Sequence, residues 1–112
     1  MLETQVPVTE LEQLYTLRKA DEVIGYIREN PHLLPFLKFA PDLIKKYFPK
    51  APLFLTLFID PDNLTDRYLT IYIGTNYNVD ETLARLYELE DEWFFYVIEK
   101  TNRKLTILIE FL

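Results

Sequence analysis

Glu88, Glu90, Asp91 and Glu92 stand within five residues, and Trp93, Phe94, Phe95 and Tyr96 follow without a break. Carboxylates beside an aromatic wall are what general acid–base chemistry uses, because apolar surroundings raise a carboxyl pKa towards neutrality. The plainer reading is the wet and dry sides of one helix. At about 100° per residue, Glu81, Arg85, Glu88, Glu92 and Glu99 share one side. Arg85 and Glu88 are spaced to pair there. Val79, Leu83, Leu86, Trp93, Phe94 and Val97 fall opposite, as a core stripe. Glu90 falls near the middle of that stripe. Either the helix kinks near Glu90–Asp91, or Glu90 pairs at the core edge with a Lys or Arg of the amino-terminal helices. In a third reading it is a buried carboxylate with a raised pKa, and so a functional candidate. Phe95 and Tyr96 pose the converse problem, since an unbroken helix sets Phe95 on the charged side. That points to a partner surface or to the same re-phasing. One kink accounts for both anomalies and is the preferred expectation.

Little else in the chain has the makings of chemistry. It has no serine, no cysteine and one histidine, His32, which follows Pro31 at a helix start. Ser-His-Asp and Cys-His catalysis are therefore excluded, as is a multi-histidine metal site within one chain. Gly25 and Gly74 are the two glycines, too few for a phosphate-cradling loop. Asp60, Asp62 and Asp66 have the oxygen-rich spacing of a calcium loop. However, Leu64 takes a ligand position and the turn glycine is missing, so an Asx-rich hairpin loop is the expectation. No metal and no cofactor are called for.

The surrounding elements follow from periodicity and punctuation. Residues 1–8 read as a loose arm of a single domain, residues 1–112. Residues 9–48 read as helical: Thr9 and Glu12 form a capping box, and Leu11, Leu14, Tyr15 and Arg18 follow at helical spacing. Val23, Ile24 and Ile27 mark a second helix. Asn30-Pro31, Pro35 and Pro41 divide the segment into two or three short helices. After Pro49–Pro52 the period changes to two. Leu53–Ile59, Tyr68–Ile73 and Lys104–Leu112 are three strands. Asn78 and Glu81 cap the helix between the second and third strands, which should run to about Lys100 and end with help from Asn102. The fold expected is α+β: amino-terminal helices, then a β-β-α-β unit over residues 53–112. Its first strand is apolar on both faces and so should lie in the middle, giving the order 2-1-3. The second and third strands are parallel, joined by a right-handed helical crossover.

The register sorts the faces of that sheet. Leu53, Leu55, Leu57, Leu69, Ile71, Ile73, Leu105, Ile107 and Ile109 share an aliphatic face that should meet the helices. Phe54, Thr56, Phe58, Tyr68, Thr70, Tyr72, Thr106, Leu108 and Glu110 form a mixed aromatic and hydroxyl face. Either the amino-terminal helices cover it, or it binds a partner.

With 18 acidic and 12 basic side chains, the formal net charge is −6. That balance disfavours nucleic acid, and Lys38, Lys45, Lys46 and Lys50 make only a thin basic cluster. No apolar run approaches the ~20 residues that span a bilayer. No signal peptide is visible in MLETQVPV, so a cytoplasmic location is the expectation. The order "APLFL…DPD…YLTIYI…VDETLARLYELEDEWFF…KLTILIEF", from about Pro41 to Phe111, resembles a family of short uncharacterised bacterial proteins frequent in cyanobacteria. Its signature is an acidic helix reaching a Trp before a final strand. The resemblance implies a small α+β domain and carries over no catalytic residue.

Together these readings favour a non-catalytic interaction module that binds another protein or a second copy of itself. Phe54, Phe58, Tyr68, Tyr72, Phe95 and Tyr96 are its interface candidates, since aromatic rings bury much area with few rotors. The alternative is a small-ligand binder or carboxylate-dependent enzyme using Glu90, Asp91 or Glu92.

Overall fold

Pro7 stands at the start of α1 (Val8–Leu14) in a computed structural model that describes residues 6–112. The loose arm expected over residues 1–8 lies mostly outside the described residues. Thr9 and Glu12 form no capping box, because the helix starts two residues earlier, with Pro7 at the cap position, and has no side-chain cap. Tyr15 then leaves the helix in extended geometry, and Thr16–Leu17 form a short strand, β1. This strand corrects the expectation of helix throughout residues 9–48. Thr16 pairs in parallel with Phe54, and Leu17 with Leu55. Lys19, in the left-handed region at φ 50°, turns the chain into α2 (Ala20–Glu29). A 3₁₀ turn (Pro31–Leu33) leads into α3 (Leu34–Lys45).

Pro41 does not divide α3, contrary to the sequence expectation. A proline inside a helix lacks an N–H, so the carbonyl four residues earlier loses its donor. Here that carbonyl belongs to Leu37, and the Tyr15 hydroxyl donates to it at 2.6 Å. A residue from outside the helix thus repairs the gap, and α3 runs on to Lys45.

β2 (Leu53–Ile59) and β3 (Arg67–Thr75) form the expected antiparallel hairpin. Its loop is built from Asx turns. Asp60 Oδ1 accepts from Asp62 N at 2.8 Å, and Asn63 Oδ1 accepts from Thr65 Oγ1 at 2.7 Å. No cluster of three metal-ligating side chains occurs among the described residues. After α4 (Val79–Trp93) and a π-helical turn (Phe94–Ile98), β4 (Leu105–Phe111) pairs in parallel with β3.

The sheet is four-stranded and mixed, in the order β1-β2-β3-β4. The expected 2-1-3 order is therefore corrected: β3, not β2, lies between the other two long strands. Burial explains the error. β3 is the strand that is buried on both faces, because its outer positions Thr70 and Gly74 are small. A Cβ on Gly74 would stand 2.8 Å from Pro52 Cγ. β2 is apolar on both faces for a different reason: its outer face carries aromatic rings that stay partly exposed.

All the helices lie on the aliphatic face. Leu11, Val23, Ile27, Leu37, Ile44, Leu89 and Trp93 pack in one cluster with Leu55, Leu69, Ile71, Ile73 and Leu105. The fold is thus two layers, helices over one face of a mixed sheet.

α4 begins as read, with Asn78 Oδ1 accepting from Glu81 N at 2.8 Å. Its buried stripe is rotated from the one expected. Thr82, Leu89, Trp93, Val97 and Thr101 are buried, with Leu86 half-buried, while Val79, Leu83 and Phe94 are exposed. Thr82 donates to the Tyr77 carbonyl, and Thr101 to that of Val97. Polar residues can therefore line the core without unpaired groups. The helix does not kink at Glu90–Asp91. It widens four residues later into the π turn, where Val97 is buried one turn after Trp93 and Phe94, Phe95 and Tyr96 are exposed. Arg85 bonds Glu81, one turn back, rather than Glu88.

Candidate interaction face

The outer face of the sheet is where the structure gathers four of the six aromatic candidates. The β2–β3 register sets Phe54 beside Tyr72, Thr56 beside Thr70, and Phe58 beside Tyr68. Alternation puts all six side chains on one side. Phe58 and Tyr68 stack with ring centroids 4.7 Å apart. Next to Thr70 and Tyr72, β4 extends the face with Thr106 and Leu108. The result is a threonine row across three strands with an aromatic row on either side. No helix covers it among the described residues. Phe58 is 40% exposed and Leu108 48%, with Phe54, Tyr68 and Tyr72 half-buried.

Arg18 crosses this face. It leaves the end of β1, whose last bond to the sheet is Arg18 N to Leu55 O at 2.9 Å. Its guanidinium lies 4.3 Å from the Phe54 ring centroid and 5.5 Å from that of Tyr72. It then grips Glu110 of β4 with both terminal nitrogens, at 2.9 and 2.6 Å. The bidentate bond from Arg18 holds the Glu110 carboxyl below its ordinary pKa. The same bond raises that of Arg18. A fixed charge pair thus spans aromatic rings that remain open to solvent, an arrangement suited to recognition by stacking and by hydrogen bonds at its polar end.

The sequence register places Glu110 on this face but does not pair it with Arg18. They lie 92 residues apart, and Arg18 reads as helical from its spacing. The one local signal was "YTLR", whose β-branched Thr16 and alternation fit a short strand.

Phe95 and Tyr96 are not part of this face. They project from the π turn on the helical side, where Tyr96 packs edge-on against Phe95 and Phe39. Phe95 is 69% exposed and Phe94 59%. The exposure inferred for Phe95 is what the structure has, and it follows from the helical phase, which sets Phe95 about 200° from the buried Trp93.

The carboxylates of the opening stretch separate. Glu90 and Asp91 are exposed. Glu90 stands at a shallow cleft of about 220 Å³ beside Trp93, Phe94 and Thr106. Glu92 accepts from the Tyr47 hydroxyl at 2.9 Å and from Lys46 Nζ at 3.2 Å. These bonds, Tyr47 first, hold its carboxyl below the ordinary pKa and raise that of Tyr47. Glu92 is thus an ionised tie between the end of α3 and α4, the opposite of an acid poised to donate. A wider open cleft of about 650 Å³ lies at the other end of the sheet, between Tyr26, Asn30, Arg67 and Lys104. Four of its polar groups are engaged with one another: Tyr26 donates to the Arg67 carbonyl, and Lys104 to Asn30 Oδ1.

Comparison with protein-family models, curated proteins and solved structures returns no match. No helix among the described residues is long and apolar enough to cross a membrane.

Proposed function

We propose that this chain is a non-catalytic interaction module that binds another polypeptide through the outer face of its sheet. The observation that carries this reading is the bare face itself, since every helix packs on the opposite side. Stacked rings offer large apolar area at low conformational cost, and the Arg18–Glu110 pair supplies a polar anchor. The acidic chain favours a partner with basic or neutral groups at the contact. The lack of cysteine fits work in a reducing compartment such as the cytoplasm. The likeness to short bacterial proteins with an acidic-Trp helix adds no activity to this reading.

The test replaces Phe58 and Tyr68 together by serine and quantifies what the tagged chain retains from lysate of its native cell. The expected result is loss of the retained partner, with the circular dichroism spectrum and elution volume unchanged. Undiminished retention by the double variant would remove the outer face from the account. The alternative, a small-ligand site or carboxylate enzyme, leans on Glu90 at its cleft, with Asp91 and Glu92 alongside. Glu90→Gln is expected to leave partner retention intact, and loss of retention would favour the alternative.

A further inference from the structure

We infer that β4 is the seam of a homodimer, in which two copies pair edge to edge and antiparallel to make one continuous sheet. β4 lies at one end of the sheet. Leu69 N–H donates to the Lys104 carbonyl, and Leu112 N–H to that of Thr75. The alternation between these two bonds turns the peptide groups of Leu105, Ile107, Ile109 and Phe111 away from β3. Trp93 Nε1 partly covers the first of them, donating to the Leu105 carbonyl at 3.4 Å. No element among the described residues pairs with the outward peptide groups of the other three.

Exposed edges are usually blunted by shortness, lysine, proline or a bulge. β4 has seven residues, LTILIEF, with no lysine, proline or bulge, and its one charged side chain, Glu110, is already held by Arg18. The opposite edge of the sheet is guarded by shortness, because β1 has two residues. Each copy therefore offers one long edge, and twofold pairing uses both. Association stops at two copies instead of running on into a fibre.

The strand matches itself. With Leu108 opposite Leu108 of the second copy, Ile107 meets Ile109 and Leu105 meets Phe111. On the outer face Thr106 meets Glu110, so a carboxylate stands opposite a hydroxyl. A two-residue slip would set Leu108 against Glu110 instead. Charge points the same way. Two chains of net charge −6 repel unless they meet along a neutral strip. Glu110 is the one charged residue of β4, and Arg18 already bonds both its oxygens. Leu108, Phe111 and Phe94 are 48%, 53% and 59% exposed along this edge. The seam shares Leu108 with the rim of the outer face, but it does not require that face to bind anything.

Sedimentation equilibrium and single-cysteine crosslinking test it together. Leu108→Lys sets like charges opposite each other at an exposed position, which should weaken the dimer roughly tenfold or more. The chain has no cysteine, so Leu108→Cys gives a single thiol. Across the twofold, a non-hydrogen-bonded pair brings the two Cα atoms to about 4.5 Å, within disulfide reach. The expected results are a wild-type dimer, a Leu108→Lys monomer with an unchanged circular dichroism spectrum, and crosslinking on mild oxidation at Leu108→Cys but not at Phe58→Cys. A wild type that stays monomeric overturns the inference. So does a dimer that survives Leu108→Lys and fails to crosslink at Leu108→Cys. A dimer dissolved by the Phe58 and Tyr68 serine pair but not by Leu108→Lys would overturn the seam and still support the outer face.

Discussion

Tyr15 shows how one side chain decides the behaviour of a whole helix. Burial raises its pKa, so the neutral hydroxyl is the native form, and it replaces the donor that Pro41 removes from α3. Tyr15→Phe strands a buried carbonyl, which costs about 1–3 kcal/mol. Urea denaturation should show a lower midpoint with an unchanged slope. Adding Pro41→Ala restores an N–H to that carbonyl, so the two changes together should cost less than their sum. Strict additivity would contradict the repair. Glu110 makes a second residue-scale prediction. Its folded pKa lies below the unfolded value of ~4.3. Its pairing therefore stabilises above ~4.3 and is lost as the pH falls through the folded value. Glu92 behaves likewise. Glu110→Gln should lower the melting temperature at neutral pH and flatten its decline in acid; an equally steep decline would contradict the pair. Neither Tyr15–Leu37 nor Arg18–Glu110 is legible in sequence, because each joins residues far apart in the chain.

Element identity was far more legible than element placement. The three long strands, their antiparallel hairpin, the parallel crossover and the Asn78 cap all follow from period and punctuation. The phase of α4 does not, because a threonine, Thr82, occupies one of its buried positions and satisfies its hydroxyl locally. A hydropathy wheel gives such positions to solvent and makes Glu90 look misplaced. Glu90 is in phase once the stripe runs through Leu89 and Trp93. Leu89→Ala should cost about 2–5 kcal/mol, while Val79→Ala, at an exposed position, should stay within about 0.5 kcal/mol. Denaturation midpoints for the two variants check this, and the reverse ranking would restore the wheel's stripe. β2 misled for a related reason. Apolar residues on both faces can mean a central strand, but they can equally mean one packed face and one aromatic face left open.

At the scale of the molecule, the helices are spent on one side of the sheet. That leaves an aromatic face and an unguarded strand edge on the other parts of the same sheet. Composition had already removed nucleophilic triads and multi-histidine metal sites, and the structure adds an uncovered aromatic face and an unpaired strand edge. In the proposed assembly the β4 seam would join two outer faces side by side, doubling the surface offered to a partner. Binding at the outer face should then weaken when Ile109→Pro removes an outward N–H and separates the copies, because that change alters no side chain of the outer face. Titration of the isolated partner against both forms measures that difference, and equal affinity would uncouple the two surfaces.

Oxidative footprinting of the tyrosines, read by mass spectrometry with and without the retained partner, tests the central claim most directly. Tyr68 and Tyr72 lie on the outer face, while Tyr87 is exposed on α4. The account predicts that the partner protects Tyr68 and Tyr72 and leaves Tyr87 as reactive as before. Unchanged labelling of Tyr68 and Tyr72 with protection of Tyr87 would contradict it.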